Sequence, residues 1–94
     1  MITEFEDLCV ICNRKATDEH HLLFGTANRR LADLDGLTIP LCREHHEAIH
    51  RNKELQVLSE IIGQLAYEKD QCSQGIKPDI ARQSFMVRYG RSYL

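Results

Sequence analysis

All five histidines of this chain fall between residues 20 and 50, and three of its four cysteines stand at 9, 12 and 42. Cys9-x2-Cys12, in "CVIC", is answered by Cys42-x2-His45, in "CREH". Each pair spans one tight turn, so its two ligands can converge without strain. Four soft or borderline donors in two close pairs are what a tetrahedral zinc ion requires. One pair alone would be a weak signal; two pairs make a strong one. Four cysteines could also form two disulfides, but in a reducing compartment this spacing points first to metal. Cys72 has no partner at ligand spacing and reads as a helix-face or turn residue.

That assignment leaves His20, His21, His46 and His50 unused. On a helix His46 and His50 lie on one face, one turn apart, a good clamp for a divalent cation. "HHEAIH" lacks the glutamate placement of the His-Glu-x-x-His proteases, so that chemistry does not follow. Adjacent helical residues differ by about 100° in direction, so His45 can serve the zinc cluster while His46 faces a second site. An exposed polar helix with incidental histidines is the plainer alternative. The doublet in "DEHHLLFG" tilts the balance toward a second metal site.

Short elements must position these groups. "CVIC" reads as a zinc knuckle turn, "ATDEHHLL" (16–23) as a strand, and "TANRRLADLDG" as a short helix with Thr26 as N-cap and Gly36 past its end. "LTIPL" (37–41) is β-rich, with Pro40 confining it to an edge or a strand end. "CREHHEAIHR" begins a helix. In "KELQVLSEIIGQLAYEKD" Leu55, Leu58, Ile62 and Leu65 share one helical face, giving an amphipathic helix that Gly63 weakens without breaking. "GIKP" is a turn, and Pro78 opens a last helix running to about Tyr89, whose Phe85, Met86 and Tyr89 are expected to cap the core. The expected fold class is α+β, weighted to helix, in a single domain over 1–94.

The 94 residues suffice for one compact domain, and a bound metal would help a core this small. With 43% hydrophobic and 28% charged residues the composition is that of a globular protein, and no apolar run is long enough for a membrane. The acidic start "MITEFEDLCV" is unlike a signal peptide, so a cytoplasmic location is expected. A net charge of −2 argues against a protein that simply coats nucleic acid. The charge is nevertheless uneven, with Glu4, Glu6 and Asp7 near the start and Arg82, Arg88 and Arg91 near the end.

Taken together, "CVIC", "EHHL" and "LCREHHEAIH" make the chain resemble an HNH endonuclease of the ββα-metal type. "HHLLFGTANRR", "GLTIPLC" and "FMVRYGRSYL" are similar to small HNH proteins of phages and prophages, which would place the chain in a bacterial host cell. The resemblance implies a zinc-stapled ββα-metal core over about 9–51, with a helical extension over about 53–94. It implies structural zinc on Cys9, Cys12, Cys42 and His45, with histidine replacing the more usual cysteine. It further implies a catalytic cation on His20, His46 and His50, and His21 as general base. Neutral imidazole is well suited to take a proton from water near pH 7. Three nitrogen ligands leave coordination positions open, as a catalytic site needs. The family's middle asparagine has no counterpart at the usual spacing before His46; Asp35 or Gly36 stands near that place, and Asn28 could lie over the site instead.

DNA is the partner this resemblance implies, with Arg29, Arg30, Arg43 and Arg51 able to neutralise phosphates without reading sequence. Local acids (Asp33, Asp35, Glu44, Glu47) could equally make those arginines an ordinary solvated surface. Mg²⁺ prefers oxygen ligands, so an all-histidine site tilts toward Mn²⁺, Ni²⁺, Co²⁺ or Zn²⁺. Cutting both strands with one site would favour a pair of subunits. The competing functional class is a non-catalytic zinc module that binds nucleic acid or a protein partner, and a structural phage component with degenerate chemistry is a third. A mere zinc module gains nothing from His20, His21, His46 and His50, and that surplus favours the nuclease.

Overall fold

The computed structural model describes residues 1–94. It has two strands and four helices: β1 (Asp18–His21), α1 (Thr26–Asp35), β2 (Thr38–Leu41), α2 (Arg43–Arg51), α3 (Lys53–Ser73) and α4 (Pro78–Tyr89). The α+β expectation is borne out. β1 and β2 pair antiparallel, with Glu19 opposite Pro40 and His20 opposite Ile39. Both strands of a two-stranded sheet are edges, so Pro40, lacking an N–H, is tolerated in β2. All four residues of β2 are buried. The amino-terminal segment helps cover them, since Ile2 N–H donates to the Thr38 carbonyl at 3.0 Å and Val10 N–H to that of Pro40 at 3.1 Å.

The knuckle is a tight hairpin closed by Cys9 N–H to the Arg14 carbonyl at 2.8 Å and Asn13 N–H to the Cys9 carbonyl at 2.9 Å. Asn13 sits at φ 61°, a left-handed conformation that asparagine tolerates better than most residues. α1 is not capped by Thr26 as expected. Its N-cap is Gly25, at φ 95°, and no side chain caps it; Thr26 is already helical. Asn52 ends α2 and caps α3, its side chain accepting from Leu55 N–H at 3.1 Å. Pro78 opens α4 as the sequence suggests.

The core gathers Leu22, Leu23, Leu37, Ile39 and Leu41 with Phe85 and Tyr89 of α4. Phe85 stacks on Tyr89 at 4.7 Å between ring centroids. Met86 does not join them and is exposed. α3 also departs from expectation. Leu55, Leu58, Ile62 and Leu65 do form one face, but that face points outward, and Ser59, Gly63, Gln64 and Tyr67 are the buried residues. The cause is visible at Gly63, where a Cβ would come within 3.1 Å of Leu22 and Leu23. The missing side chain lets α3 lie close against the segment that follows β1. No helix is long and apolar enough to cross a membrane.

Candidate metal centres

Two groups of side chains could each hold a metal ion, and α2 supplies both. The first joins Cys9 and Cys12 of the knuckle to Cys42 and His45 at the start of α2. About a tetrahedral ion with bonds of about 2.3 Å to sulfur and 2.0 Å to nitrogen, sulfur–sulfur edges measure about 3.8 Å and sulfur–nitrogen edges about 3.5 Å. Here Cys12 Sγ and Cys42 Sγ stand 3.8 Å apart, and His45 Nδ1 lies 3.7 Å from Cys9 Sγ and 3.3 Å from Cys42 Sγ. The donor set therefore fits a zinc-sized tetrahedron.

The electrostatics fit as well. Burial opposes ionisation of Cys9, but the backbone amides of Cys42, Cys12 and Ile11, with His45, outweigh it and lower the thiol to about 6. Arg14 lowers Cys12, donating from Nε to its sulfur at 3.2 Å. The His45 amide favours the Cys42 thiolate, yet burial and the neighbouring sulfurs push that thiol up overall. Three thiolates this close need a cation among them before all can ionise. The Arg14 guanidinium, which also reaches Cys42 Sγ at 3.5 Å and pairs with Glu44 at 2.9 Å, supplies only part of that charge from outside.

The second group is His20, His46 and His50, whose candidate ligand atoms all lie within 4.8 Å of one another. His20 comes from β1 and is 1% exposed; His46 and His50 come from one face of α2. Hydrogen bonds aim two of the three rings. The Ser59 hydroxyl donates to the Leu22 carbonyl at 2.8 Å, so it accepts from His20 Nε2–H at 3.0 Å and leaves the His20 Nδ1 lone pair free. Asp18 Oδ2 accepts from His46 Nδ1–H at 2.8 Å, which leaves His46 Nε2 facing His50 Nε2 at 3.1 Å. Two nitrogens bound at 2.0–2.1 Å to one ion, at angles between 90° and tetrahedral, stand about 2.9–3.4 Å apart. A carboxylate behind a metal-facing imidazole is a recurrent device for fixing tautomer and ring direction. Arg43 and His46 together hold the Asp18 carboxyl well below the usual carboxylate range. Burial, with His46, His50 and His21 close by, lowers His20 to about 4. Burial, then His46 and Arg29, also lowers His50. The His20 and His50 rings are thus neutral near pH 7, the form that binds metal.

His21 follows strand alternation and points away from the cluster, toward α1, where Asp33 Oδ1 lies 3.2 Å from its Nε2. Nevertheless His20, His21, His46 and His50 border one cavity of about 400 Å³, with Phe24 and Arg29 on its wall. Arg30 lines a shallower hollow beside it, with His21 and Asp33. Arg43 is engaged by Asp18 through both Nε, at 2.8 Å, and Nη2, at 3.1 Å. Arg51, at the end of α2, is exposed. Asn28 does not lie over the cavity; its amide donates to the Tyr89 carbonyl at 3.2 Å. Asp35 is taken up by Arg88 and Tyr89. Cys72 is exposed and outside both groups.

Sequence reasoning missed Asp18, Asp33 and Ser59. Asp18 was open to inference, because residues two apart on a strand share a face and His20 is two further on. Ser59 and Asp33 lie on helices whose docking no local pattern reveals.

Residues 5–75 match the family described as "Protein of unknown function (DUF968)", and the chain belongs to that family. No curated protein and no solved structure matches it. The matched span includes every member of both side-chain groups.

Proposed function

We propose that this protein is a metal-dependent DNA endonuclease of the HNH type, in which β1, β2 and α2 serve as the ββα-metal core and His21 is the general base. The observation that carries the reading is the convergence of three imidazoles from β1 and α2 on one point, separate from the thiolate cluster. A fourth imidazole, with its own carboxylate partner, borders the same cavity.

His21 donates Nε2–H to Asp33, so its Nδ1 is the nitrogen left to take a proton from water. The water oxygen then attacks phosphorus and the 3′-oxygen leaves. A divalent cation held by His20, His46 and His50, when bound, supplies the positive charge that stabilises phosphate and leaving oxygen. Mn²⁺, Ni²⁺, Co²⁺ or Zn²⁺ suits the three nitrogens better than Mg²⁺. Arg29 offers the cavity a cationic wall, and Arg30 extends it for neighbouring phosphates. Cys9, Cys12, Cys42 and His45 hold structural zinc, which ties the knuckle to the base of α2.

The test is plasmid nicking by the zinc-loaded protein across a panel of divalent ions, comparing the wild type with His21→Ala. Cleavage should fall by at least 100-fold in the variant, with folding and DNA binding retained. A variant as active as the parent ends the general-base assignment. A wild type that binds DNA but cuts with no ion leaves the non-catalytic zinc module as the reading.

A further inference from the structure

Helix α3 packs with its polar side inward. Ser59 and Gln64 are buried on the inner face. Gln64 is fully bonded there, donating to Glu68 and Ser92 and accepting from Tyr93 N–H at 2.6 Å. The outer face carries Leu55, Leu58, Ile62 and Leu65, which are 36%, 53%, 43% and 51% exposed. Ile2 stands beside the stripe, across a groove of about 480 Å³ from Ile62 and Leu65. Single exposed apolar residues are ordinary, but a contiguous strip of this kind on a small protein marks an interaction surface. The spacing, three then four then three residues, is that of the a and d positions of a coiled-coil seam.

Charge at the two ends of the strip selects the occupant. By helical direction, Glu54 and Lys69 lie on the same side of α3 as the leucines, one at each end, and both are exposed. A parallel second copy would set Glu54 against Glu54 and Lys69 against Lys69. An antiparallel copy, turned about a point between Ile61 and Ile62, sets Glu54 of one molecule opposite Lys69 of the other, twice over. The same rotation brings Leu58 opposite Leu65 and stacks the Ile61–Ile62 steps at the centre. Of the two orientations only the antiparallel one pairs the end charges favourably, with Leu55 then meeting the Glu68 position.

We propose that α3 mediates an antiparallel homodimer through this strip. α3 reaches His20 through Ser59, but no residue of the strip lines the histidine cavity, so the dimer leaves it open. The inference stands independently of the nuclease reading. The strip is small beside the roughly 800 Å² per partner of a standard stable interface, so the association is concentration-dependent.

The experiment is sedimentation velocity with light scattering on the zinc-loaded full chain, over a concentration series from micromolar to near-millimolar. The wild type should pass from monomer to dimer. Leu58→Glu with Leu65→Glu should hold it monomeric, with an unchanged circular dichroism spectrum because both sites are exposed. Glu54→Lys and Lys69→Glu alone should each weaken the dimer about tenfold, since each breaks two symmetric pairs, and together they should restore it. A wild type that stays monomeric throughout overturns the proposal, including the case in which the strip takes a lipid or an unrelated protein. A dimer that survives the double glutamate substitution, or charge swaps without mutual rescue, overturns it equally.

Discussion

At the scale of single residues the histidines depend on partners that do not themselves face the cavity. Asp18 fixes His46, Ser59 fixes His20 and Asp33 fixes His21. Asp18→Asn keeps the shape but weakens the acceptor behind His46, so affinity for Ni²⁺ or Mn²⁺ should fall about 10–100-fold. Calorimetric titration of the zinc-loaded protein measures this. Unchanged affinity would mean that the ring is held by packing alone. Asp33→Asn is expected to act differently, lowering the nicking rate while leaving ion affinity as it was, because the Asp33 carboxylate bonds His21 and none of the three clustered imidazoles. The donor residues themselves were legible because their chemistry is rare and their spacing tight. Of their supports, only Asp18 shares a local pattern with the residues it serves. Asp33 and Ser59 arrive through helix docking, which depends on contacts distant in sequence.

Among the elements, α3 was legible in extent and illegible in direction. Its apolar stripe suggests a core-facing side, whereas a glycine decides which side docks. Gly63→Ala would gain about 1 kcal/mol in helix propensity. It would also force a methyl against the Leu22 Cβ, which the backbone holds, at 3.1 Å. Overpacking of this kind costs about 1–3 kcal/mol, so the net expectation is a lower thermal midpoint, followed by circular dichroism. A higher midpoint would show that the contact relaxes freely. α4 is tied to α1 by the Arg88–Asp35 pair at 2.7 and 2.8 Å and by the Tyr89 hydroxyl on the same carboxylate. Asp35→Ala removes the acceptor of charged bonds and should cost about 2 kcal/mol, measured by urea denaturation. Its loss should leave ion binding at the histidines intact, since no bond links Asp35 to them.

For the molecule as a whole, two four-residue strands and a sparse core leave little to hold the fold, and a metal at the cysteine–histidine group would act as a clasp. The cysteine–histidine group bridges the knuckle and α2, two segments with no helix or strand in common. Cys42→Ser, or a chelator strong enough to strip zinc, should therefore unfold the domain. A protein that melts unchanged after either treatment would remove the clasp from the account. The α+β class, the convergence of Cys9, Cys12, Cys42 and His45, and the place of each helix could be read from the chain. The outward turn of α3 could not, because it depends on which face finds a close neighbour. His45 and His46 are consecutive, and one turns to the clasp while the other turns to the cavity. On the proposed function the cysteine–histidine group should therefore fill first, because its donors tie the knuckle to the helix that carries both groups. Preparations with one equivalent of metal should carry it on sulfur, and only the excess should exchange freely with buffer.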